Sequence, residues 1–359
     1  MQSLNLLRTS ANRWARTAAA RSGARLPTAA MPVCRQSIRR ASAQAEGGAP
    51  LPQRSGSNTL LVTAALGILA AGGYYYYTSP EKTQELKQAI TPTTKALDPK
   101  KFQSFALKFI EPISHNTKLY RFELPEPNMV LGLDVASCIV TKFVDEKNLD
   151  KDGKPKVVIR PYTPTSKEDE RGYFDLIVKE YPQGVMSRHI ASLKPGDKLD
   201  VKGPIPKYPY TPNMHKEVGL IAGGTGITPM LQLIRKIFNN PEDHTKVSLI
   251  FANIAENDIL MRPELDRLAE QYPDRFHVYY TLDNPEVAWK LGRGFITKEM
   301  AKEHLPEPST SSNDMKLFVC GPPPMVKAIS GSKASMSDQG PLTGILKELG
   351  YTEAQVFKF

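Results

Sequence analysis

The chain has 359 residues, of which 40% are hydrophobic and 23% charged, so it is long enough for two globular domains with sizeable cores. The net charge of +10 does not indicate nucleic-acid binding, because the basic excess lies in residues 1–57, which hold nine arginines and one acid, Glu46. The remainder is nearly neutral, with 38 basic and 36 acidic residues, and so lacks the basic face expected of a nucleic-acid binder. Three scattered cysteines and six histidines show neither CxxC nor HxxxH spacing, which argues against a disulfide framework and a metal site.

Residues 1–57 have the composition of a mitochondrial targeting leader, since they are rich in Arg, Ala and Ser and contain no acid before Glu46. The alternative is a disordered basic tail. Residues 58–77 carry no charge and just reach the length of a membrane-spanning helix, with four tyrosines placed for the interface. We therefore expect a transmembrane anchor there, with a buried core helix as the alternative, and a polar linker over residues 78–99.

Two different hydrophobic periodicities follow the linker. Residues 100–211 contain short runs that alternate at every second position, which predicts a closed antiparallel β-barrel. Residues 215–359 alternate apolar strands with helices, which predicts a parallel sheet and thus a two-domain β + α/β fold. The predicted strands include 118–124, 172–181, 218–222, 247–252, 276–281 and 316–320; helices are expected from Thr228 and over 262–272, and an irregular surface loop over 330–341.

The strongest local motif is the sequence AGGTGITP at residues 222–229, between an apolar strand and a helix. Its glycines allow backbone amides to approach a ligand, and the positive end of the following helix attracts phosphate. Thr228 is the predicted N-cap and Pro229 the predicted first helical residue. A plain glycine-rich turn without a ligand is an equally good interpretation of the residues alone.

Three weaker motifs accompany it. The RPYTP sequence at 160–164 offers a guanidinium for a phosphate and a ring that can stack on a heterocycle. The GVMSRH sequence at 184–189 places Ser187 as a predicted helix cap. The CGPPPM sequence at 320–325 ends a strand, where open α/β sheets bind ligands. Taken singly, the first motif favours a Pro-rich turn, the second an ordinary capped helix and the third a buried structural cysteine.

The order of the four motifs, followed by an aromatic C-terminus, resembles the ferredoxin–NADP reductase superfamily over residues 102–359. Within it the chain is similar to the NADH–cytochrome b5 reductase family in its fungal mitochondrial form. The resemblance implies that residues 102–211 bind FAD, that residues 215–359 bind NADH, and that electrons pass singly to a cytochrome b5-type haem protein. It also implies an outer-membrane enzyme, with a processed intermembrane-space form, and we expect a monomer.

The resemblance also implies roles for individual residues. Thr163, Lys179 and Cys320 are expected at the reaction centre, without a catalytic triad, since hydride transfer requires no acid–base side chain. Asp283 is expected to bond a ribose diol and to disfavour NADPH, with a surface turn residue as the alternative. The expected FAD contacts are Arg160, Pro161, Tyr162, Thr163, Ile177, Lys179, Val185, Met186, Ser187 and Thr228; the expected NADH contacts are Gly223, Gly224, Thr225, Gly226, Asp283, Cys320, Gly321, Pro322 and Met325.

Departures from the family pattern leave the acceptor open. Leu133–Cys138 replaces a Gly-Gln-His stretch, and Val185 replaces a lysine of some relatives. One alternative is a reductase for another one-electron carrier or a quinone. Another is a membrane-anchored nucleotide-binding scaffold without turnover, although Arg160 and Tyr162 are retained.

Overall fold

The structure, a computed structural model, describes residues 94–309, 311 and 314–359. The predicted leader and anchor, and nearly all of the predicted linker, lie outside the described residues. Within the described part of the chain, no helix is both long and apolar enough to cross a membrane.

The first half of the described chain forms a six-stranded antiparallel sheet in the order β4-β3-β6-β1-β2-β5, with one helix, α1, between β5 and β6. The period-two alternation correctly predicts the two antiparallel strands assigned from it, at 118–124 and 172–181, whereas the other four were not assigned individually. The elements are β1 (Gln103–Ser114), β2 (Thr117–Glu123), β3 (Ser137–Leu149), β4 (Pro155–Tyr162), β5 (Tyr173–Lys179), α1 (Val185–Ser192) and β6 (Lys198–Pro206).

The inward residues of this sheet form an aromatic core. Phe122 and Phe174 are fully buried and stack with ring centroids 5.2 Å apart, and Phe105 meets Phe174 edge-on at 5.3 Å. The predicted closed barrel is not observed, because β4 and β5 are the two edge strands of the sheet and do not pair with each other as strands. After β4 the Thr165 amide donates to the Asp175 carbonyl of β5 at 2.9 Å, but Pro164 beside it has no amide donor, so the pairing does not continue as a regular ladder.

The second half forms a six-stranded parallel sheet in the order β10-β9-β8-β7-β11-β12, as the alternating pattern predicts. The sequence analysis did not predict α4, α5, α6, β10 or β12. The elements are β7 (Glu217–Gly223), α2 (Ile227–Phe238), β8 (Lys246–Asn253), α3 (Arg262–Gln271), β9 (Phe276–Leu282), β10 (Gly292–Arg293), α4 (Lys298–His304), β11 (Met315–Cys320), α5 (Pro323–Ser330), α6 (Gly344–Glu348) and β12 (Val356–Lys358).

The strand order of this sheet creates a crevice. From β7 the chain adds β8, β9 and β10 on one side and then crosses back to place β11 on the other. Ligands of open α/β sheets bind at the carboxyl ends of strands where the order reverses in this way. The ends of β7 and β11 lie side by side there, with Cys320 paired to Ala222.

Two predicted helix starts are wrong in detail. Helix α2 begins at Ile227 after a 3₁₀ turn over Gly224–Gly226, so Thr228 lies inside the helix and its hydroxyl donates to the Thr225 carbonyl at 3.1 Å. Helix α1 begins at Val185, so Ser187 is not its N-cap. Before α2 the 3₁₀ turn already supplies helical geometry, so Thr228 is the second residue of that helix. Before α1 the chain is extended at Gly184, and Ser187 is the third residue of the helix.

Candidate functional site

A cavity of about 670 Å³ opens where the antiparallel sheet meets the carboxyl ends of β7 and β11. This volume is within the range of typical ligand pockets. Its wall brings together residues from all four sequence motifs. The lining residues are Cys138, Pro161, Tyr162, Thr163, Ile177, Val178, Lys179, Tyr181, Ser187, Lys207, Gly223, Thr225, Gly226, Thr228, Pro229, Cys320, Gly321, Pro322, Pro323, Lys333, Ser335, Met336 and Phe359.

The end of β4 supplies a flat aromatic wall. Tyr162 packs against the core of the antiparallel sheet and also faces the cavity. Burial raises the pKa of its phenol to about 12, so the hydroxyl stays protonated at neutral pH. Pro161 and Thr163 line the cavity beside it, whereas Arg160 is exposed, does not line it, and donates to the Ile159 carbonyl at 2.8 Å.

The end of β5 supplies an apolar residue and a charged one. Ile177 is buried and Lys179 is nearly so, and both line the cavity, as their two-residue spacing predicts. The Lys179 ammonium lies 3.5 Å from Asp258, a buried carboxylate of the parallel-sheet half. Lys179 therefore joins the two halves of the molecule. The exposed ring of His115 lies 4.0 Å from the same carboxylate, so His115 is not a packed core histidine.

Ser187 bonds the turn that precedes α1. Its hydroxyl accepts the Tyr181 amide at 3.2 Å and donates to the Gly184 carbonyl at 3.1 Å. These bonds close the turn that leads from β5 into α1 and hold the start of the helix at the cavity. Val185 is partly exposed and Met186 is buried in the core, and neither lines the cavity.

The glycine turn after β7 serves packing as much as ligand access. A Cβ on Gly226 would lie 2.2 Å from the Cys320 carbonyl oxygen, and one on Gly223 would lie 2.6 Å from the Met325 sulfur. These glycines let α2 start directly beside the end of β11. Gly224 differs, because it has a φ of +51° and nothing within 4 Å of its Cβ position, although it does not line the cavity itself.

The end of β11 forms the opposite wall. Cys320, Gly321 and Pro322 line the cavity, while Met325 packs beneath Gly223 and Gly321. Burial raises the pKa of the Cys320 thiol to about 12, so the group there is a neutral, polarisable thiol and not a nucleophilic thiolate.

Asp283 does not line this cavity. It follows β9, where its amide donates to the Asn253 carbonyl at 3.0 Å, and its side chain is exposed. Desolvation raises the pKa of its carboxyl above the ordinary value. Asp283 lies at the carboxyl end of a strand two places from β7 in the sheet.

A third wall was not found by sequence reasoning. The connector after β6 contributes Lys207, the segment predicted as an irregular surface loop contributes Lys333, Ser335 and Met336, and the C-terminus contributes Phe359. Lys207 and the three loop residues belong to no recognisable motif, and Phe359 was noted only as part of the aromatic C-terminus, without a place at the cavity. The signal that places Phe359 there is the short apolar strand β12, which pairs with β11.

Comparisons with known proteins agree with this division of the chain. Residues 104–210 match the oxidoreductase FAD-binding domain family, and residues 220–331 match the oxidoreductase NAD-binding domain family. In solved structures, the chain is similar to the cytochrome b5 reductase domain of Ulva prolifera nitrate reductase. That similarity has a TM-score of 0.63 and 34% identity, covering 74% of this chain and all of that one.

Curated relatives cover nearly the whole chain. A protein of Botryotinia fuckeliana named NADH-cytochrome b5 reductase 2 is 47% identical over 353 residues, which is 92% of this chain and 98% of the relative. A Chaetomium globosum protein of the same name is 54% identical over 277 residues, or 77% and 76% of the two chains. With the FAD- and NAD-binding domain matches and the shared motif order, these relatives show that the chain belongs to the NADH-cytochrome b5 reductase family.

Proposed function

We propose that the protein takes hydride from NADH onto FAD and delivers the electrons one at a time to a cytochrome b5-type haem protein. The observation that carries this proposal is one cavity. It brings the Pro161–Thr163 wall of one half against the turns after β7 and β11 of the other. When bound, FAD supplies the chemistry that links a two-electron donor to a one-electron acceptor.

The residues present fit a flavin and a dinucleotide. Tyr162 and Thr163 would hold the flavin ring from one side, with Ile177 beside them. Ser187 shapes the turn whose amides would meet the FAD phosphates, and Arg160, exposed next to that wall, would pair with them. On the other side, the amides of the Gly223–Gly226 turn and the start of α2 would bind the NADH phosphates, and Cys320 and Gly321 would contact the nicotinamide.

The protein's contribution is positioning. The two sheets present their walls to one cavity, so the residues on those walls would hold the two reactive groups close together, and proximity of this kind supplies much of the rate. The neutral thiol of Cys320 and the protonated phenol of Tyr162 add no charge that would compete with electron transfer. Hydride transfer itself requires no side chain to donate or accept a proton.

The test is to purify the full chain in detergent and record its visible spectrum. We expect bound yellow flavin that bleaches on addition of NADH and recovers on addition of oxidised cytochrome b5. A colourless protein that shows no diaphorase activity with added FAD would disprove the proposal. Recovery with a quinone or a ferredoxin but not with cytochrome b5 would favour the alternative acceptors.

We also propose that residues 1–57 direct the protein to mitochondria and that residues 58–77 anchor it in the outer membrane. The support is the arginine-rich, acid-poor leader and the uncharged apolar stretch that follows it. Extraction of isolated mitochondria with alkaline carbonate should leave the full chain in the membrane, whereas a variant lacking residues 58–77 should be released. Equal release of both would contradict the anchor.

A further inference from the structure

The third wall of the cavity carries positive charge without a compensating acid. The lining includes Lys179, Lys207 and Lys333 and no aspartate or glutamate. Lys179 is paired with Asp258. Among the described residues, no ion pair includes Lys207 or Lys333.

Lys333 is held in place and is not a free surface side chain. Its ammonium donates to the Lys358 carbonyl at 2.8 Å. The side chain of Gln339 bonds both the amide and the carbonyl of Lys358, at 2.6 and 3.1 Å, which ties the loop of residues 331–343 to β12. Gly331 and Gly340, both with positive φ, allow the sharp bends of that loop.

The charges of Lys207 and Lys333 repel each other. Desolvation, and next the charge of Lys207, lower the pKa of Lys333 below its ordinary value. The other groups that influence Lys333 are the thiols of Cys320 and Cys138 and the ammonium of Lys358, none of which supplies a negative charge at neutral pH. Two like charges that face one cavity destabilise each other, so an anion in that cavity would offset the repulsion.

The proposed reaction creates such an anion. Hydride transfer breaks a C–H bond of the nicotinamide, forms an N–H bond on the flavin and moves an electron pair with the proton. The dinucleotide becomes NAD⁺ and the flavin gains one negative charge. Fixed positive charge near the site where charge develops favours the charged product.

We propose that Lys207 and Lys333 form a cationic site that stabilises the negative charge of the reduced flavin. This inference rests on the proposed function, because it requires FAD in the cavity. It assigns the loop of residues 331–343 a role in setting the flavin potential, through a lysine anchored to the C-terminal strand. It does not require either lysine to touch NADH.

The experiment compares the flavin midpoint potential of the full-length holoprotein with those of Lys333→Met and Lys207→Met, by equilibrium titration against a reference dye. Each variant should lower the equilibrium constant for flavin reduction about tenfold, equivalent to about 30 mV for a two-electron couple. Lys333→Arg, which keeps the charge, should stay close to wild type. The matched control is Lys302→Met, which removes an exposed lysine of α4 that does not line the cavity.

The outcomes separate the inference from the function. If wild type holds FAD and bleaches with NADH but both Met variants keep its potential, the cationic site is disproved and the proposed function stands. A weakened NAD⁺ affinity with an unchanged potential also disproves it, since the lysines would then bind the dinucleotide. A wild-type chain without FAD disproves the function itself. Should Lys333→Met fail to fold, Lys207→Met decides, because the Lys207 side chain makes no hydrogen bond to any of the described residues.

Discussion

At the scale of single residues, Asp283 tests cofactor choice. Replacing Asp283 with Asn should raise the NADPH-to-NADH ratio of kcat/KM about tenfold, because a carboxylate repels the extra phosphate of NADPH. The pKa of this carboxyl is raised, so wild-type discrimination against NADPH should weaken as the pH falls toward it. Steady-state assays with both dinucleotides measure the ratio.

The control for Asp283→Asn is Asp274→Asn, which removes an exposed carboxylate just before the opposite end of β9. That variant should leave the ratio unchanged. If Asp283→Asn also left it unchanged, Asp283 would be an ordinary turn residue.

The Cys320 thiol gives a second prediction at this scale. With a pKa of about 12, roughly one thiol in 10⁴ is ionised at pH 8, so alkylation by iodoacetamide should be slow. The rate should rise about tenfold per pH unit up to the highest pH at which the protein stays folded. Peptide mass spectrometry follows this cysteine separately from the other two. A rate that levels off below pH 9 would show that the thiol is activated.

At the scale of elements, the start of α2 depends on a glycine for its packing. Gly226→Ala should lower the free energy of unfolding by about 1–3 kcal/mol, because its Cβ would overlap the Cys320 carbonyl. The NADH KM should rise with it, since α2 and β11 would separate. Urea unfolding and steady-state kinetics measure the two effects.

Gly224→Ala is the matched comparison for Gly226→Ala. Its Cβ would meet nothing within 4 Å, so only the positive φ is strained, at a cost of about 1 kcal/mol. If Gly226→Ala were as stable as wild type with an unchanged KM, the close approach of α2 to β11 would not matter for the site.

How much the sequence reveals also differs between elements. Strands and helices with a clear hydrophobic period were predicted nearly to their ends, since β8 extends the predicted 247–252 by one residue on each side. Thr228 and Ser187 were misplaced as caps because a threonine or serine in the first turn of a helix looks the same in sequence as one just before it. The loop with Lys333 was predicted as surface loop, since only the β11–β12 pairing, a contact between segments distant in sequence, brings it to the cavity.

At the scale of the whole molecule, a charged contact joins the two halves beside the cavity. Asp258→Asn would leave the Lys179 ammonium, 12% exposed, without its carboxylate. We expect the free energy of unfolding to fall by about 1–3 kcal/mol, which is less than the cost of breaking a fully buried pair because the Lys179 side chain is partly exposed. We also expect kcat/KM for NADH to fall. Thermal unfolding and stopped-flow reduction by NADH measure these effects.

The comparison for Asp258→Asn is Lys236→Met, which breaks the exposed pair of Lys236 with Glu168 that also joins the two halves. An exposed pair contributes little, so this variant should stay within about 1 kcal/mol of wild type. Equal effects of the two variants would mean that the contact near the cavity has no special importance.

Strand β12 brings the last residue, Phe359, against the cavity wall. A purification tag fused after Phe359 would therefore start inside the cleft and compete with whatever enters it. Expression vectors for this protein should carry the affinity tag elsewhere, and any C-terminally tagged preparation with poor flavin content should be re-examined after the tag is removed by protease.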